Sequence, residues 1–461
     1  MFRSACLVAA TVFTLWSAPL GAQPDLAAEA QRGKQALAEG RFADAAAIYA
    51  QLVRAIPADA GMRLNLGMAL SMAGRLRDAI PHLERAVELR PELVPAWLFL
   101  GSNWLELGQP SKALPALRKV AASEPGNTRA RELLGEALLA LERYERAATE
   151  FRASTVQQPS SARGWYGLGR SYEGLARATF AALETQHADS AYALALRGDV
   201  MVASRQTEAA NELYQRAIEL DPAIRDAVQG TTPRDCGTGA TAACEFVNGR
   251  YLLAVNIAKA ARTPASQYWL IRSYNELARE AFGKLSALPA SPEAHQFRAE
   301  LLTNRGRHLE AAEELRKALR LVPDDPRLMK QLAVSLHRGK SHEEALTLLD
   351  RVAQRDRSAD VLFLLGDTLV LVGRSAEGVK ALEEALALEP KFAAAHASLG
   401  RAYLQTGDAP AAVPHLEAAL GTDEDGSLHY QLARAYEATG KPELAKKMLE
   451  KYAALEKSRR R

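Results

Sequence analysis

The chain has 461 residues, 48% apolar and 25% charged, which is enough apolar surface for a long folded structure. Its formal net charge is only +3, and its nine histidines are scattered along the sequence. This charge balance excludes the strongly basic footprint of a nucleic-acid-binding protein.

The first 22 residues have the three parts of a secretory signal peptide. Arg3 precedes an apolar stretch from Ala5 to Trp16, and small residues lead up to Ala22. The pattern predicts cleavage after Ala22 and an exported protein, periplasmic or secreted. An uncleaved anchor is the alternative, although the apolar stretch is short for spanning a bilayer. No other stretch approaches transmembrane length.

Breaker residues then recur at a fixed period of 34. The positions are Pro57, Pro91, Pro125 and Pro159, and Gly67, Gly101, Gly135 and Gly169, with Gly33 one period earlier. A period of 34 residues indicates stacked helix pairs. Each pair buries its apolar face only against its neighbours, so the chain is expected to form a continuous array.

Residues 94–127 show what one repeat contains. An apolar stripe at helical spacing is formed by Trp97, Leu100, Gly101 and Trp104. Gly108 and Pro110 break it, and a second stripe follows in Ala113, Leu117 and Val120. Counted from the first residue of the repeat, glycine at position 8 and alanine at position 20 let the two helices approach closely. Large side chains at position 24 fill the space behind them.

This pattern resembles the tetratricopeptide repeat, whose signature is W-x2-L-G-x2-Y…A-x3-F…P. The resemblance implies an all-α fold, a right-handed α-solenoid of about 12–13 helix-turn-helix repeats in two arrays. We expect a member of the exported bacterial type. The predicted arrays cover residues 26–224 and 248–459 and are separated by a Gly/Thr-rich loop break at 225–247. The last helix has a polar outer face and is expected to cap the second array.

The two arrays share an internal similarity. The repeat that begins at residue 162 lacks its turn glycine, so a longer first helix is expected there. Residues 272–279 repeat residues 170–177 at an offset of 102, which is three periods of 34. A duplicated block of three repeats explains this offset.

Two cysteines, Cys236 and Cys244, remain after signal removal, and both fall in or beside the predicted loop. An oxidising compartment favours a disulfide between them. In the chain-entropy model, closing so small a loop stabilises by about 2–3 kcal/mol. Two unpaired thiols, with Cys244 buried on a helix face, are the alternative.

The sequence predicts no catalytic site, cofactor or metal. Residues 237–242 fit G-x-G-x-x-A, but a dinucleotide site requires a preceding strand, and helices are expected on both sides. The histidines follow the repeat phase, with His295, His396 and His429 at position 4. Packing therefore explains them, and we expect a protein that is not an enzyme.

Function is expected on the face of the first helices formed by repeat positions 2, 5, 9 and 12. By family resemblance this face lines the concave groove. It is apolar at Leu64 and Leu98 and charged from Arg129 onwards. A Tyr-x3-Arg pair recurs as Tyr166/Arg170, Tyr268/Arg272 and Tyr430/Arg434. Tyrosine and arginine are typical interface anchors, while solvated surface pairs are the alternative.

These features predict a non-enzymatic interaction scaffold in the cell envelope, which binds peptide or helical segments of other proteins in the groove. A glycan-binding or small-molecule-binding protein that uses the same groove is the alternative. No nucleic-acid partner is predicted, and no membrane span after signal cleavage. The sequence leaves the partner and the oligomeric state open.

Overall fold

The computed structural model describes residues 26–230 and 241–459. The predicted signal peptide at 1–22 and Cys236 lie outside the described residues. In the described ranges every regular element is helical, which confirms the all-α prediction. None of the helices in these ranges has the length and apolar character needed to cross a membrane.

The chain divides into two compact units, and the division falls between Ala281 and Phe282. The helices that begin in the first unit are α1 Leu26–Ala38, α2 Phe42–Ala55, α3 Ala60–Met72, α4 Leu76–Leu89, α5 Val94–Glu106, α6 Pro110–Ser123, α7 Thr128–Ala140, α8 Tyr144–Gln157, α9 Ala162–His187, α10 Ala191–Ala203, α11 Thr207–Leu220, α12 Arg225–Gln229, α13 Ala242–Val247, α14 Tyr251–Lys259 and α15 Pro264–Ala287.

The second unit continues with pairs of short helices. They are α16 Pro292–Asn304, α17 His308–Leu321, α18 Pro326–Arg338, α19 His342–Ala353, α20 Ala359–Leu371, α21 Ser375–Leu388, α22 Ala393–Thr406, α23 Ala409–Ala419, α24 Ser427–Ala438 and α25 Pro442–Arg459. On the last helix Lys446, Lys447, Glu450 and Lys451 are exposed, as expected of a capping helix.

Close backbone approach depends on the glycine at position 8 in those helix pairs that have one. A Cβ atom placed on this glycine would lie 2.6 Å from the leucine at position 24 of the same repeat, in the pairs Gly67 with Leu83, Gly101 with Leu117, Gly366 with Leu382 and Gly400 with Leu416. The position-20 alanines beside them, Ala45, Ala79, Ala113 and Ala147, are fully buried. The predicted roles of positions 8, 20 and 24 are therefore confirmed.

Position 4 has a role that the sequence does not reveal. In five repeats its side-chain N–H donates to the backbone carbonyl of the proline six residues earlier, in the turn that precedes the helix. The pairs are Arg63 to Pro57, Trp97 to Pro91, Arg131 to Pro125, Trp165 to Pro159 and His396 to Pro390, with N···O distances of 2.7–3.1 Å. Arginine, tryptophan and histidine share little except this donor, which ties one repeat to the end of the preceding one.

The two long helices related by the offset of 102 residues contact each other within the first unit. Helix α9 has 26 residues and α15 has 24, so the longer first helix predicted from residue 162 is confirmed. Tyr172 of α9 stacks on Tyr274 of α15, its equivalent at the offset of 102, with ring centroids 6.2 Å apart. Arg152 of α8 donates to the Tyr172 hydroxyl at 2.5 Å. Both tyrosines are buried.

The predicted loop break at 225–247 lies inside the first unit. Its described part contains α12 and α13, and residues 231–240 lie outside the described residues. Helices α14 and α15 contact earlier helices through Lys259 with Glu145 and Tyr268 with Tyr192. Helices α13 and α14 and most of α15 therefore lie in the first unit, and the predicted array boundaries at 224 and 248 stay a prediction.

Candidate partner-binding surface on the first helices

Charged and aromatic groups are concentrated on helices α7 and α9, at the repeat positions predicted to face the groove. We define the α7–α9 surface by Arg129, Glu136, Arg163, Tyr166, Arg170 and Glu173. Each of the two helices is the first helix of its repeat. The repeats are adjacent, and α8 connects the two helices along the chain. Helical spacing therefore presents these side chains on one continuous face.

Two ion pairs order this surface. Arg163 Nη1 lies 3.1 Å from Glu136 Oε1 and joins α9 to α7, with both side chains less than a third exposed. Arg170 Nη1 donates to Glu173 Oε2 at 2.7 Å within α9, where both side chains are about two-fifths exposed. Tyr166 is partly exposed between them, and Arg129 is exposed. The surface thus combines a rigid aromatic group with oriented guanidinium groups.

A buried carboxylate holds this surface in place. Glu132 occupies position 5 of α7 and is almost completely buried. Its Oε1 accepts hydrogen bonds from Ser154 of α8 and Ser161 at the start of α9. Glu132 therefore links three helices instead of facing a partner. Sequence reasoning placed it on the groove face, and no local signal marks the two serines as its donors.

The structure corrects the assignment of Tyr268 and Arg272. Tyr268 is fully buried, and burial raises its pKa to about 12. Arg272 donates to the Tyr268 hydroxyl at 2.7 Å and to the backbone carbonyl of Ala227 at 3.1 Å. Its guanidinium also lies over the rings of Phe246 and Trp269. This pair packs α15 against α12 and α13, and its tyrosine offers no surface to a partner.

The third Tyr/Arg pair is on the surface of the second unit. Tyr430 of α24 is 47% exposed, and Arg434 one turn later is exposed as well. The Tyr430 ring lies 5.6 Å from that of Tyr452 on the capping helix α25. Both side chains of this pair are therefore accessible to a partner, whereas Tyr268 is buried.

The predicted apolar positions are only partly accessible. Leu64 is 8% exposed and belongs to the apolar core formed by α1–α6. Its assignment as a contact residue is therefore corrected to core packing. Leu98 is half-buried on α5. Of the two, Leu98 alone retains accessible surface.

Cys244 is buried on α13, and its backbone N–H is capped by the Thr241 hydroxyl. Cys236 lies outside the described residues, so the bridge between them stays a prediction. Within the described part of the chain, no group of three or more histidine, cysteine, aspartate and glutamate side chains has an arrangement that would hold a metal ion.

Sequence models of known families match much of the chain. A tetratricopeptide repeat model matches residues 31–94, 100–162, 139–175, 271–326, 298–360 and 363–427, and a second one matches residues 426–458. These ranges together cover more than half of the 461 residues, and they span helices of both units. The chain belongs to the tetratricopeptide repeat family. Proteins built from this repeat generally act as non-enzymatic interaction scaffolds.

Each of three similar proteins matches less than half of this chain. The chain is 32% identical over 111 residues to the Superkiller complex protein 3 of Mus musculus, a match that spans 24% of this chain and 7% of that protein. Among solved structures, MamA from Desulfovibrio magneticus RS-1 is 20% identical, with a TM-score of 0.31, over 43% of this chain and 95% of that one. YrrB, described as a tetratricopeptide repeat protein with an unusual peptide-binding site, is also 20% identical, with a TM-score of 0.31, over 45% and 91%.

Proposed function

We propose that this tetratricopeptide repeat protein is a non-enzymatic scaffold of the cell envelope. On this proposal it binds extended or helical segments of other proteins on the groove face of its first helices. The family assignment supports an interaction scaffold in general. The envelope location rests on the signal peptide pattern at residues 1–22, and the binding face rests on the α7–α9 surface.

The observation that carries the binding proposal is the accessible Tyr166 between two ordered guanidinium groups. An ion pair fixes Arg163 and another fixes Arg170, so little side-chain entropy remains to be lost when a partner binds. Arginine donates through a planar fork to carboxylate and carbonyl oxygens, and tyrosine adds a rigid amphipathic ring. These are the side chains most often found at binding hot spots.

Replacing Tyr166 and Arg170 together by alanine is expected to weaken partner binding by about 2 kcal/mol or more, roughly thirtyfold in affinity. Stability is expected to change by less than about 0.5 kcal/mol, because neither side chain belongs to the core. The partner would first be recovered by pull-down from an envelope fraction. Its affinity for wild type and variant would then be measured by titration calorimetry, with circular dichroism melts alongside.

Arg85→Ala is the matched control, because Arg85 and Glu88 form a comparable exposed ion pair three residues apart on the second helix α4. It should leave affinity unchanged. The Tyr430→Ala, Arg434→Ala variant tests the second unit in the same way. Unchanged affinity in both double variants would refute the groove face as the binding site. Binding to glycans or metabolites, with no protein recovered, would favour the alternative function.

The proposed location has a separate test. The native protein is expected to begin at Gln23, because the export machinery would remove residues 1–22. Edman sequencing or terminal-peptide mass spectrometry of protein purified from its native cells would show this. Native protein that still begins at Met1 would instead indicate an uncleaved anchor.

A further inference from the structure

Histidine is distributed unevenly between the two units. Seven of the nine histidines lie in residues 282–459. Two of these, His396 and His415, are hydrogen-bonded to each other. Histidine is the side chain whose ordinary pKa lies nearest to neutral pH. A contact between two histidines is therefore expected to respond to mild acid.

The contact joins the two helices of a single repeat. His396 lies on α22 at repeat position 4, and His415 lies on α23 at repeat position 23. Their Nδ1 atoms are 2.8 Å apart, and the rings stack with centroids 5.1 Å apart. Both side chains are partly exposed, so protons reach them from solvent.

The neighbouring carbonyl determines which nitrogen carries each proton. His396 Nε2 lies 3.1 Å from the backbone oxygen of Pro390, which only accepts hydrogen bonds, so Nε2 must carry a proton. In a neutral ring the Nδ1 of His396 is then an acceptor. His415 must therefore donate from its own Nδ1, and the contact holds when both rings are neutral.

One added proton leaves this contact in place, because the charged ring donates from its Nδ1 and the neutral ring accepts at its own Nδ1. When both rings are charged, both Nδ1 atoms carry a proton with no lone pair between them, and two cations face each other at stacking distance. We propose that the His396–His415 contact is a pH-sensitive latch, which holds α22 against α23 at neutral pH and opens in mild acid.

The charged surroundings modify this response without removing it. Burial and the His396 ring lower the pKa of His415, and Glu383 of α21 partly opposes them. The Glu383 carboxylate already accepts a hydrogen bond from Tyr403, whose ring stacks on His415. On the other side, Glu417 of α23 is bonded to Tyr436 of α24. Because the folded pKa of His415 is lowered, its contribution to stability is present above the unfolded pKa of about 6.5 and is lost as pH falls through the folded value.

The chain contains a matched contact of the opposite kind. His295 of α16, at repeat position 4, lies 2.7 Å from the carboxylate of Glu314 of α17, at repeat position 23. These two residues stand at the same repeat positions as His396 and His415. Protonation of His295 creates an ion pair at this contact, so acid should not open it until the carboxylate itself is protonated.

Hydrogen–deuterium exchange of the full-length protein tests the latch, independently of any binding partner. Amide protection of residues 393–419 would be compared at pH 7.5 and pH 5.5, with labelling times corrected for the intrinsic pH dependence of exchange. Protection there is expected to fall severalfold, because protonation of both rings opens the contact. Residues 292–321, which contain His295 and Glu314, are expected to keep their protection.

The His415→Glu variant gives this repeat the pairing found at His295, and its loss of protection in acid should disappear. His415→Gln is a second, uncharged replacement, whose amide N–H can donate to the neutral His396 ring, and it should reduce the loss as well. The proposal is overturned if both peptides lose protection equally in wild type. It is also overturned if either folded variant loses protection at 393–419 as wild type does.

Discussion

Gly101→Leu is expected to lower the free energy of unfolding by about 3 kcal/mol or more, at or above the upper end of the usual range for overpacking. A Cβ at this position would already lie 2.6 Å from the Leu117 side chain, and leucine adds three further carbon atoms. Leu117 of α6 is fully buried, so displacing its side chain disturbs the packing around it. The two helices would have to separate.

Urea denaturation followed by circular dichroism measures this loss. Gly126→Ala is the matched control, because a Cβ at Gly126 would meet no atom within 4 Å. The control is expected to change stability by less than about 0.5 kcal/mol. A loss below this value for Gly101→Leu would show that position 8 is not a close-contact site.

Tyr268→Ala is expected to lower the free energy of unfolding by about 3–5 kcal/mol, as for other large buried aromatic residues. The ring is fully buried against Tyr192 and Trp269, so its removal leaves a cavity. Arg272 would also lose the hydroxyl that accepts its hydrogen bond, in a region where water has little access.

Tyr430→Ala provides the comparison for this variant under the same denaturation conditions. Tyr430 also precedes an arginine by four residues, but it is 47% exposed. Its replacement should cost less than about 0.5 kcal/mol. Similar losses in the two variants would contradict the assignment of Tyr268 to the interior and Tyr430 to the surface.

The repeat architecture could be predicted from the sequence because it depends on local rules repeated many times. A glycine at position 8 and an alanine at position 20 report close helix packing wherever they recur, so Gly67 and Gly400 have the same environment. The longer helix α9 followed from the absence of a turn glycine after residue 169. Each of these signals lies within about one repeat, and many copies agree.

Only the tertiary structure distinguished the three Tyr/Arg pairs. Their sequences place tyrosine and arginine one turn apart on a helix, which is all that helical spacing reveals. Tyr268 is buried because α15 contacts α10, α12 and α13, and these contacts join residues distant in sequence. Tyr430 is exposed on a helix near the end of the second unit.

The same limit applies to the polar groups that hold the helices together. The sequence shows arginine, tryptophan and histidine at position 4 without a common reason, and the structure supplies one in the proline carbonyl that each donates to. Glu132 is another example, since its serine donors are 22 and 29 residues away. Local periodicity therefore determined the helices and their pairing in this protein. Contacts between residues distant in sequence decided which side chains are buried, because burial depends on every helix that packs around them.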